Sequence, residues 1–295
     1  MDSFTTQSLV GIAAAMALGA GIAWAGSHGS VLVGGWPAFG LCVAIAFAVQ
    51  YVGFVPSFLA QTEHYFDLTG SVTYAFLAGF GLLLGNGEPR SLLIGALVIV
   101  WAARLGSFLF MRVRADGSDG RFDRLKPSFL RFFMVWNLQA AWISITFAAG
   151  LAAMTSVHSA PLGGLAAIGL AMWLAGFAIE VIADRQKRAF RADAINDGRF
   201  ITSGLWSWSR HPNYFGEILL WAGICMLAYP ALRGWQLAAL ISPLFVYVLL
   251  RHVSGVPLLE SRAKKRWGGD PAYEEYVAHT PVLLLSPPKR VAAAG

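Results

Sequence analysis

Residues 164–183 read Gly-Leu-Ala-Ala-Ile-Gly-Leu-Ala-Met-Trp-Leu-Ala-Gly-Phe-Ala-Ile-Glu-Val-Ile-Ala, and this stretch decides the fold class. It contains one charged side chain, that of Glu180. An α-helix rises about 1.5 Å per residue and the hydrocarbon core of a bilayer is roughly 30 Å thick, so about 20 apolar residues cross it once. The stretch therefore predicts a transmembrane helix, which we place at residues 161–183.

The composition of the whole chain agrees with a membrane protein. Of its 295 residues, 57% are apolar and 13% are charged, whereas a soluble globular domain is about 25% charged. This apolar content excludes intrinsic disorder, in which too little apolar surface is available to offset the entropy of folding. The two cysteines, Cys42 and Cys225, lie in apolar stretches. They exclude a disulfide scaffold and a zinc site built from four cysteines or from paired cysteines and histidines, and we expect no metal centre.

Further apolar stretches predict additional transmembrane helices. The complete set of spans is 7–26, 35–60, 71–86, 91–111, 130–154, 161–183, 212–229 and 233–253. The third span is short, and the division between the last two at Tyr229-Pro230 is weakly marked, so seven spans are an alternative to eight. We predict an all-α, polytopic transmembrane helical bundle that forms a single membrane domain over residues 1–295.

The positive charges lie mainly on one side of the predicted bundle. Of the 22 Lys and Arg residues, 19 fall in the stretches 112–131 and 184–211 and in the tail from Arg251 onward. Eight spans place these loops and the tail on the same side, which the positive-inside rule makes cytoplasmic. An active site would therefore face the cytoplasm. Membrane lipid is the expected surrounding, and the charges indicate neither a nucleic acid nor an obligate protein partner.

A short helix is predicted in the C-terminal tail. Asp270-Pro271 is typical of a helix start, because Asp caps free N–H groups and Pro suits the first turn. The pair leads into Ala-Tyr-Glu-Glu-Tyr at residues 272–276. We predict a surface helix there, covering the cytoplasmic mouth of the bundle.

The most informative run is Ser-Arg-His-Pro-Asn-Tyr-Phe-Gly-Glu, residues 209–217. Pro212 suits the first turn of a helix, and from that start Asn213 and Glu217 lie four residues apart on one face. A helix N-terminus beside an arginine and a histidine is an anion-binding site. The alternative is an interfacial helix start whose cations reach toward water.

A second polar pattern lies at the end of the sixth span. Glu180, Asp184, Lys187, Arg188 and Arg191 recur at helical spacing and form one stripe of a helix that leaves the membrane. Carboxylates accept hydrogen bonds from ribose hydroxyls, and guanidinium groups bind phosphate in a bidentate manner. The stripe suits a nucleotide, and a solvated helix end with its own ion pairs is the alternative.

Together these runs resemble the bacterial branch of the membrane steroid 5α-reductase and sterol reductase superfamily, a group of NADPH-dependent integral membrane enzymes. The resemblance rests on residues 176–187, 204–217, 253–260 and 273–281, and it extends to about residues 100–290. Its signature is the motif Arg-His-Pro-Asn-Tyr-x-Gly-Glu. A looser version, Arg-His-Pro-x-Tyr-x-Gly, occurs in isoprenylcysteine carboxyl methyltransferases.

The resemblance implies which residues contact a cofactor. In the family, an acidic residue and two basic residues on the stripe helix contact the dinucleotide, which implies that role for Asp184, Arg188 and Arg191. The implied cofactor-binding set is Arg104, Glu180, Asp184, Arg188, Arg191, Arg210, His211, Asn213, Tyr214, Glu217, Arg251 and Glu260. The expected cofactor is NADPH, because the cationic loops suit its third phosphate and the family uses it.

A third polar run, Gln-Thr-Glu-His-Tyr-Phe-Asp at residues 61–67, follows the second span. Reduction of an enone requires an acid that hydrogen-bonds the substrate carbonyl while hydride reaches the β-carbon. Gln61, Glu63 and Tyr65 are the catalytic candidates, and a continued helix would put Gln61 and Tyr65 on one face. An interfacial aromatic belt with polar loop residues is the alternative. The eukaryotic relatives have a Tyr three residues before an Arg, where this chain has Trp101.

The resemblance implies an oxidoreductase of lipid metabolism, in the bacterial inner membrane, that reduces a C=C bond of a lipophilic, steroid-like enone with NADPH. One alternative is an S-adenosylmethionine-dependent membrane methyltransferase, which shares the looser motif. The other is a non-enzymatic transporter or lipid-binding protein. The sequence contains neither a Gly-x-Gly-x-x-Gly fingerprint after a strand nor an inverted repeat typical of transporters.

Overall fold

Of this protein the computed structural model describes residues 3–84 and 87–288, and the chain is 76% helical. The α-helices are α1 (Ser3–Ser27), α2 (Ala38–Leu59), α3 (Phe66–Leu84), α4 (Pro89–Asp116), α5 (Phe129–Thr146), α6 (Ala148–Met154), α7 (Gly164–Ala192), α8 (Pro212–Ala228), α9 (Ser242–Val248), α10 (Val256–Trp267) and α11 (Pro271–His279). Short 3-10 helices cover Ala194–Asn196, Gly204–Ser207, Tyr229–Ala231 and Gly234–Ile241, and a π-helical turn covers Leu249–Val253. An antiparallel hairpin pairs β1 (Leu32–Val33) with β2 (Trp36–Pro37). The predicted all-α fold class is confirmed.

Seven stretches of the described chain are long and apolar enough to cross a membrane. They are Ser3–Ser27, Ala38–Leu59, Phe66–Leu84, Pro89–Ala115, Gly164–Ala192, Pro212–Ala231 and Gly234–Trp267. α5 and α6 together pass the same test but are bent by 56°, which makes them either a broken eighth span or a re-entrant loop. The protein is therefore a multi-pass integral membrane protein, and the prediction of seven or eight spans is confirmed. The third span begins at Phe66 instead of residue 71, and its predicted last residues, 85 and 86, lie outside the described residues.

The bend between α5 and α6 lies at Phe147, with neither a proline nor a glycine at the break. The Ser242 hydroxyl donates a hydrogen bond of 2.5 Å to the carbonyl oxygen of Thr146, the last residue of α5. A side chain that binds a helix carbonyl takes it out of the helical ladder, which is one cause of a sharp bend. The apolar run alone does not reveal this bend, because the serine is 96 residues away from the threonine.

Contacts within the chain define two compact units. The first unit comprises Met1–Ala167 and Ile224–Ser242, and the second comprises Ile168–Gly223 and Pro243–Gly295. The three catalytic candidates and Arg104 belong to the first unit, and the other cofactor candidates belong to the second. A single membrane domain stays a prediction.

An aromatic cluster forms part of the core of the first unit. Phe54, Phe122, Phe132 and Trp136 are buried against one another. Gly53 lets the helices approach, since a Cβ there would lie 2.8 Å from the Trp136 ring. Close packing of this kind stabilises helix contacts in lipid, where burial of apolar surface drives association only weakly. Because Phe122 lies outside the helices, the cluster also holds the loop that follows α4.

Two arginines outside the three cation-rich stretches bind main-chain carbonyls. Arg90 is buried and donates to the carbonyl oxygens of Ala160 at 3.2 Å, Pro161 at 2.6 Å and Leu227. Arg233 donates to two carbonyl oxygens of its own turn. Both cations therefore satisfy carbonyl groups at chain reversals. Two further cations counted in the tail, residues 289 and 290, lie outside the described residues.

In the second unit, α7 and α8 pack with their backbones in contact at two pairs of glycines. A Cβ at Gly176 would lie 2.5 Å from the carbonyl oxygen of Gly216, and a Cβ at Gly223 would lie 2.6 Å from that of Gly169. Small residues permit such an approach and are the usual packing device of membrane helices. The two pairs therefore fix the relative position of α7 and α8 along their length.

The predicted helix after Asp270 is confirmed as α11. The Asp270 side chain accepts a hydrogen bond of 2.9 Å from the backbone N–H of Ala272. Further along α11, the Tyr276 hydroxyl donates to the carbonyl oxygen of Trp206 at 2.7 Å. This bond holds α11 against the segment that leads into α8.

We expect Gly223→Ala to destabilise the second unit by about 1–3 kcal/mol, because the new methyl group must push α7 and α8 apart. Gly163→Ala is the matched control: a Cβ at Gly163 has nothing within 4 Å, so its effect should stay within about 0.5 kcal/mol. Thermal unfolding of both variants in the same detergent measures the difference. An unchanged unfolding temperature for Gly223→Ala would contradict the backbone contact.

Candidate functional site

The polar stripe of α7 meets the start of α8 through a side-chain hydrogen bond. The Asn213 amide donates to Asp184 Oδ1 at 3.3 Å. One turn earlier on α7, Glu180 lies against Gly216, where a Cβ would be 2.8 Å from the Glu180 nitrogen. The structure therefore brings these three predicted residues, Glu180, Asp184 and Asn213, to one place.

The stripe changes from buried to exposed along α7. Glu180 and Asp184 are 3% and 8% exposed, whereas Arg188 and Arg191 are exposed. The carboxylates thus lie inside the second unit, and the guanidinium groups reach its surface. The interpretation of the stripe as a wholly solvated helix end is therefore wrong for its first two residues.

Glu260 of α10 pairs with both residues that precede α8. Its Oε1 lies 3.3 Å from Arg210 Nη1 and 3.4 Å from His211 Nε2. The backbone N–H groups of Arg210 and His211 donate to the carbonyl oxygens of Pro281 and Val282 at 2.8 and 3.1 Å. The segment is therefore held from two sides, by α10 and by the chain that follows α11.

The imidazole of His211 is buried and lies parallel to the Tyr214 ring, with the ring centroids 5.5 Å apart. Burial lowers the pKa of His211; its hydrogen bond with Glu260 opposes this effect, and the charges of Lys187 and Arg210 add to it. The ring is therefore neutral at pH 7, so one of its nitrogens donates and the other accepts a hydrogen bond.

Two buried polar atoms of this cluster, Arg210 Nε and His211 Nδ1, have no hydrogen-bond partner within the described chain. Such atoms are rare in native proteins, because each one forfeits the hydrogen bonds it makes in water. A phosphate oxygen accepts a hydrogen bond from a guanidinium N–H, and a ribose hydroxyl donates one to the unprotonated nitrogen of a neutral imidazole. The residues present therefore fit a phosphate-bearing dinucleotide such as NADPH.

The remaining cofactor candidates lie at varied places. Glu217 is half-buried in the second turn of α8, and Arg251 is half-buried in the π-helical turn before α10, within electrostatic range of Glu260. Arg104 lies in the first unit on α4, with its guanidinium 5.2 Å from the Phe108 ring centroid.

The helix does not continue through the third polar run. α2 ends at Leu59, and α3 begins at Phe66. Between them Gln61 has a φ of 51°, a left-handed conformation that is uncommon outside glycine. Its amide donates to the carbonyl oxygen of Phe58 at 2.7 Å, which closes the turn. The expected shared helical face of Gln61 and Tyr65 is therefore wrong.

Glu63 is held in a buried ion pair in the first unit. Its carboxylate accepts hydrogen bonds from Lys126 Nζ at 2.5 Å and from the backbone N–H of Asp119 at 2.7 Å. Burial by itself raises the pKa of Glu63, but the hydrogen bonds from Lys126 and Asp119 outweigh it and lower the pKa below its ordinary value. The carboxylate is therefore ionised at neutral pH, whereas a proton donor has to be protonated.

Further ion pairs join the same loop to the start of α3. Arg121 lies 2.6 Å from Asp119 and 3.4 Å from Asp67. His64 Nε2 lies 3.0 Å from the carbonyl oxygen of Gly117. Glu63 therefore belongs to a network that fastens the loop after α4 to the α2–α3 turn.

Tyr65 is exposed, as is Gln61. Its side chain is 55% exposed, and its ring stacks on Phe110 with the centroids 6.4 Å apart. Its orientation is thus supported by α4 while much of its surface stays accessible.

Two tyrosines of α11, to which the sequence assigns no role, lie close to the Arg210–Glu260 pair. Burial raises the pKa of Tyr276; the charge of Arg210 opposes the rise, and those of Tyr273 and Glu260 add to it. Tyr276 therefore remains a protonated phenol at neutral pH. The spacing Tyr-x-x-Tyr on a helix is the signal that could have found this pair, because it puts both rings on one face.

Comparison with known proteins identifies a family for this chain. Residues 53–280 match a family described as protein of unknown function (DUF1295), a membrane family related to the steroid reductases. The Schizosaccharomyces pombe protein named Uncharacterized protein C594.04c is 23% identical over 190 residues, which cover 54% of this chain and 55% of that protein. The chain thus spans about half the length of this relative. No solved structure matches the chain.

We expect Glu63→Gln to destabilise the first unit by about 1.5–3 kcal/mol, because Lys126 loses its charged hydrogen-bond partner. The stabilisation by Glu63 is complete above the ordinary pKa of a glutamate and is lost as the pH falls through the lowered pKa. The unfolding temperatures of the variant and the unsubstituted protein in detergent should therefore converge in acid.

Asp123→Asn is the matched control. Asp123 also faces Lys126, at 3.7 Å, but its side chain is 62% exposed. An exposed ion pair contributes about 0–1 kcal/mol. If both substitutions lower the unfolding temperature equally, the buried carboxylate has no special role in holding the loop.

Proposed function

This chain belongs to the DUF1295 family, and from that membership we propose that it is an NADPH-dependent membrane reductase acting on the C=C bond of a lipophilic enone. One observation carries the proposal: Arg210, His211 and Glu260 form a cluster at the start of α8, and two buried polar atoms of this cluster have no hydrogen-bond partner within the described chain. Such a cluster is suited to phosphate and ribose oxygens. The relation of the family to steroid reductases supports the same function.

In this proposal the second unit holds the cofactor. Asp184 accepts from a ribose hydroxyl, and the Asn213 amide fixes the orientation of its carboxylate. Arg210 donates to a phosphate oxygen, and neutral His211 accepts at Nδ1 from a ribose hydroxyl, since its Nε2–H donates to Glu260. Glu260 keeps both side chains in place. Arg188 and Arg191, which are exposed on the stripe, add the positive charge that favours NADPH over NADH. When bound, NADPH supplies a hydride.

For the group that polarises the substrate carbonyl we propose Tyr65. Gln61 donates to a main-chain carbonyl and Glu63 is ion-paired, whereas the Tyr65 side chain is largely exposed. A phenol donates a hydrogen bond to the carbonyl oxygen as negative charge develops on it. The enolate takes one proton from the Tyr65 hydroxyl at its oxygen, the resulting enol converts to the saturated ketone, and the phenol regains its proton from water. The substrate enters from the lipid, and the site faces the cytoplasm, where the cation-rich loops belong by the positive-inside rule.

We expect the purified protein in detergent to bind NADPH, and to bind it more weakly as the salt concentration rises, because phosphate contacts are screened. Isothermal titration with NADPH, NADH and S-adenosylmethionine in parallel measures this. Binding of S-adenosylmethionine alone would make the protein a methyltransferase. Binding of none of the three would contradict the reductase proposal.

We expect Asn213→Ala to weaken NADPH binding by about tenfold or more, because Asp184 loses the amide that orients it. Asn196→Ala is the matched control, since the Asn196 amide bonds the carbonyl oxygen of Phe190 at the end of α7. Both variants should keep the helical circular dichroism of the unsubstituted protein. Unchanged NADPH affinity in Asn213→Ala would refute the assignment of the cofactor site.

A further inference from the structure

α10 presents two unlike faces. Val256, Glu260 and Trp267 lie on its inner face and are buried or half-buried. Glu260 reaches Arg210 and His211 from this face. The inner face of α10 therefore forms one wall of the candidate cofactor site.

The outer face of α10 is cationic. Arg262, Lys265 and Arg266 recur at helical spacing on the side opposite Glu260, and all three are exposed. In residues 3–84 and 87–288, Arg262 and Lys265 take part in no ion pair. Leu258, 47% exposed, extends this face toward the helix start. Exposed cations beside an apolar side chain are typical of a helix that lies on an anionic bilayer surface.

The position of α10 in the chain places it at the level of the lipid headgroups. The candidate span Gly234–Trp267 has 34 residues, whereas about 20 residues cross the hydrocarbon core. The part before Arg251 contains no charged residue, and the charged residues of the span from Glu260 onward all lie in α10. The helix therefore continues beyond the hydrocarbon, where long cationic side chains reach the headgroups.

The joint before α10 is irregular and tightly packed. The π-helical turn Leu249–Val253 precedes it, and a Cβ at Gly255 would lie 2.7 Å from the carbonyl oxygen of Leu250. π-helical turns are frequent at functional sites. The joint fixes only the first residues of α10. The position of Glu260, one turn further along, therefore also depends on what the rest of the helix contacts.

We propose that the outer face of α10, formed by Arg262, Lys265 and Arg266, binds the headgroups of anionic phospholipids, and that this docking holds Glu260 beside Arg210 and His211. The docking itself is independent of the proposed function. Its effect on the site rests on that function, because the site is the proposed cofactor site.

The test compares the full-length protein in nanodiscs of phosphatidylcholine with nanodiscs that also contain phosphatidylglycerol. We expect backbone amides of residues 256–267 to exchange hydrogen about tenfold more slowly with phosphatidylglycerol present at low salt. The double variant Arg262→Gln and Lys265→Gln should lose this effect, and so should the unsubstituted protein at high salt. The control Arg114→Gln and Arg124→Gln removes two exposed cations of the first unit and should keep it. The docking would be overturned if phosphatidylglycerol did not slow hydrogen exchange in residues 256–267, or if the α10 variant and the control lost the slowing equally.

A second measurement, the dissociation constant of NADPH in the same nanodiscs, separates the two parts of the proposal. We expect phosphatidylglycerol to tighten NADPH binding about threefold or more in the unsubstituted protein and in the control, but not in the α10 variant. Lipid-dependent exchange with lipid-independent NADPH affinity would overturn the effect on the site. If NADPH binds in none of the nanodiscs, the proposed function fails, and the exchange data still decide whether α10 docks on anionic lipid.

Discussion

A polypeptide in the hydrocarbon core of a membrane has to satisfy its own backbone hydrogen bonds, because no water is present there to do so. In this chain the long helices meet that requirement, and side chains meet it where a helix bends or ends. Ser242 binds the carbonyl oxygen of Thr146 at the bend between α5 and α6, and Arg90 binds that of Leu227 near the end of α8. Both of these polar side chains therefore form hydrogen bonds with backbone carbonyl groups. Polar side-chain atoms that have no hydrogen-bond partner within the described chain, such as Arg210 Nε and His211 Nδ1, are candidates for binding a ligand.

The candidate site depends on the same constraint, because it lies at a helix end, where the regular hydrogen bonds of the helix backbone stop. The first N–H groups of a helix have no partner within it, and Arg210 and His211 come directly before that point in α8. The close approach of α7 and α8 at their glycines makes the 3.3 Å bond between Asp184 and Asn213 possible. A wider crossing would separate these side chains. Backbone packing inside the second unit therefore determines the geometry of its polar groups.

Features of short range could be predicted from the sequence, and those that depend on distant partners could not. The helix after Asp270 was predictable because the cap and the proline act within one turn. Glu63 was recognisable as a polar residue at a helix end, but its partner Lys126 is 63 residues further along, and nothing near Glu63 marks that lysine. The turn at Gln61 was missed since its left-handed conformation occurs without a glycine. The family resemblance implied that Arg210 and Glu260 both bind the cofactor, but their pairing could not be predicted, because no local spacing connects them.

The distribution of cations has a physical consequence for the partners of this protein. In the first unit Arg112, Arg121 and Lys126 face Asp67, Asp119 and Glu63, so the charges of the loop largely neutralise one another. In the second unit Arg188, Arg191, Arg262 and Lys265 are exposed, and no ion pair within the described residues involves them. A hydrated guanidinium or ammonium group gains free energy when a phosphate replaces its water in good geometry. The second unit therefore has charge available for anions, on α7 for a cofactor phosphate and on α10 for a lipid headgroup. The cofactor phosphate and the lipid headgroup therefore bind different cations. Glu260 connects the two sites, because it belongs to α10 and its carboxylate contacts Arg210 and His211 of the candidate cofactor site.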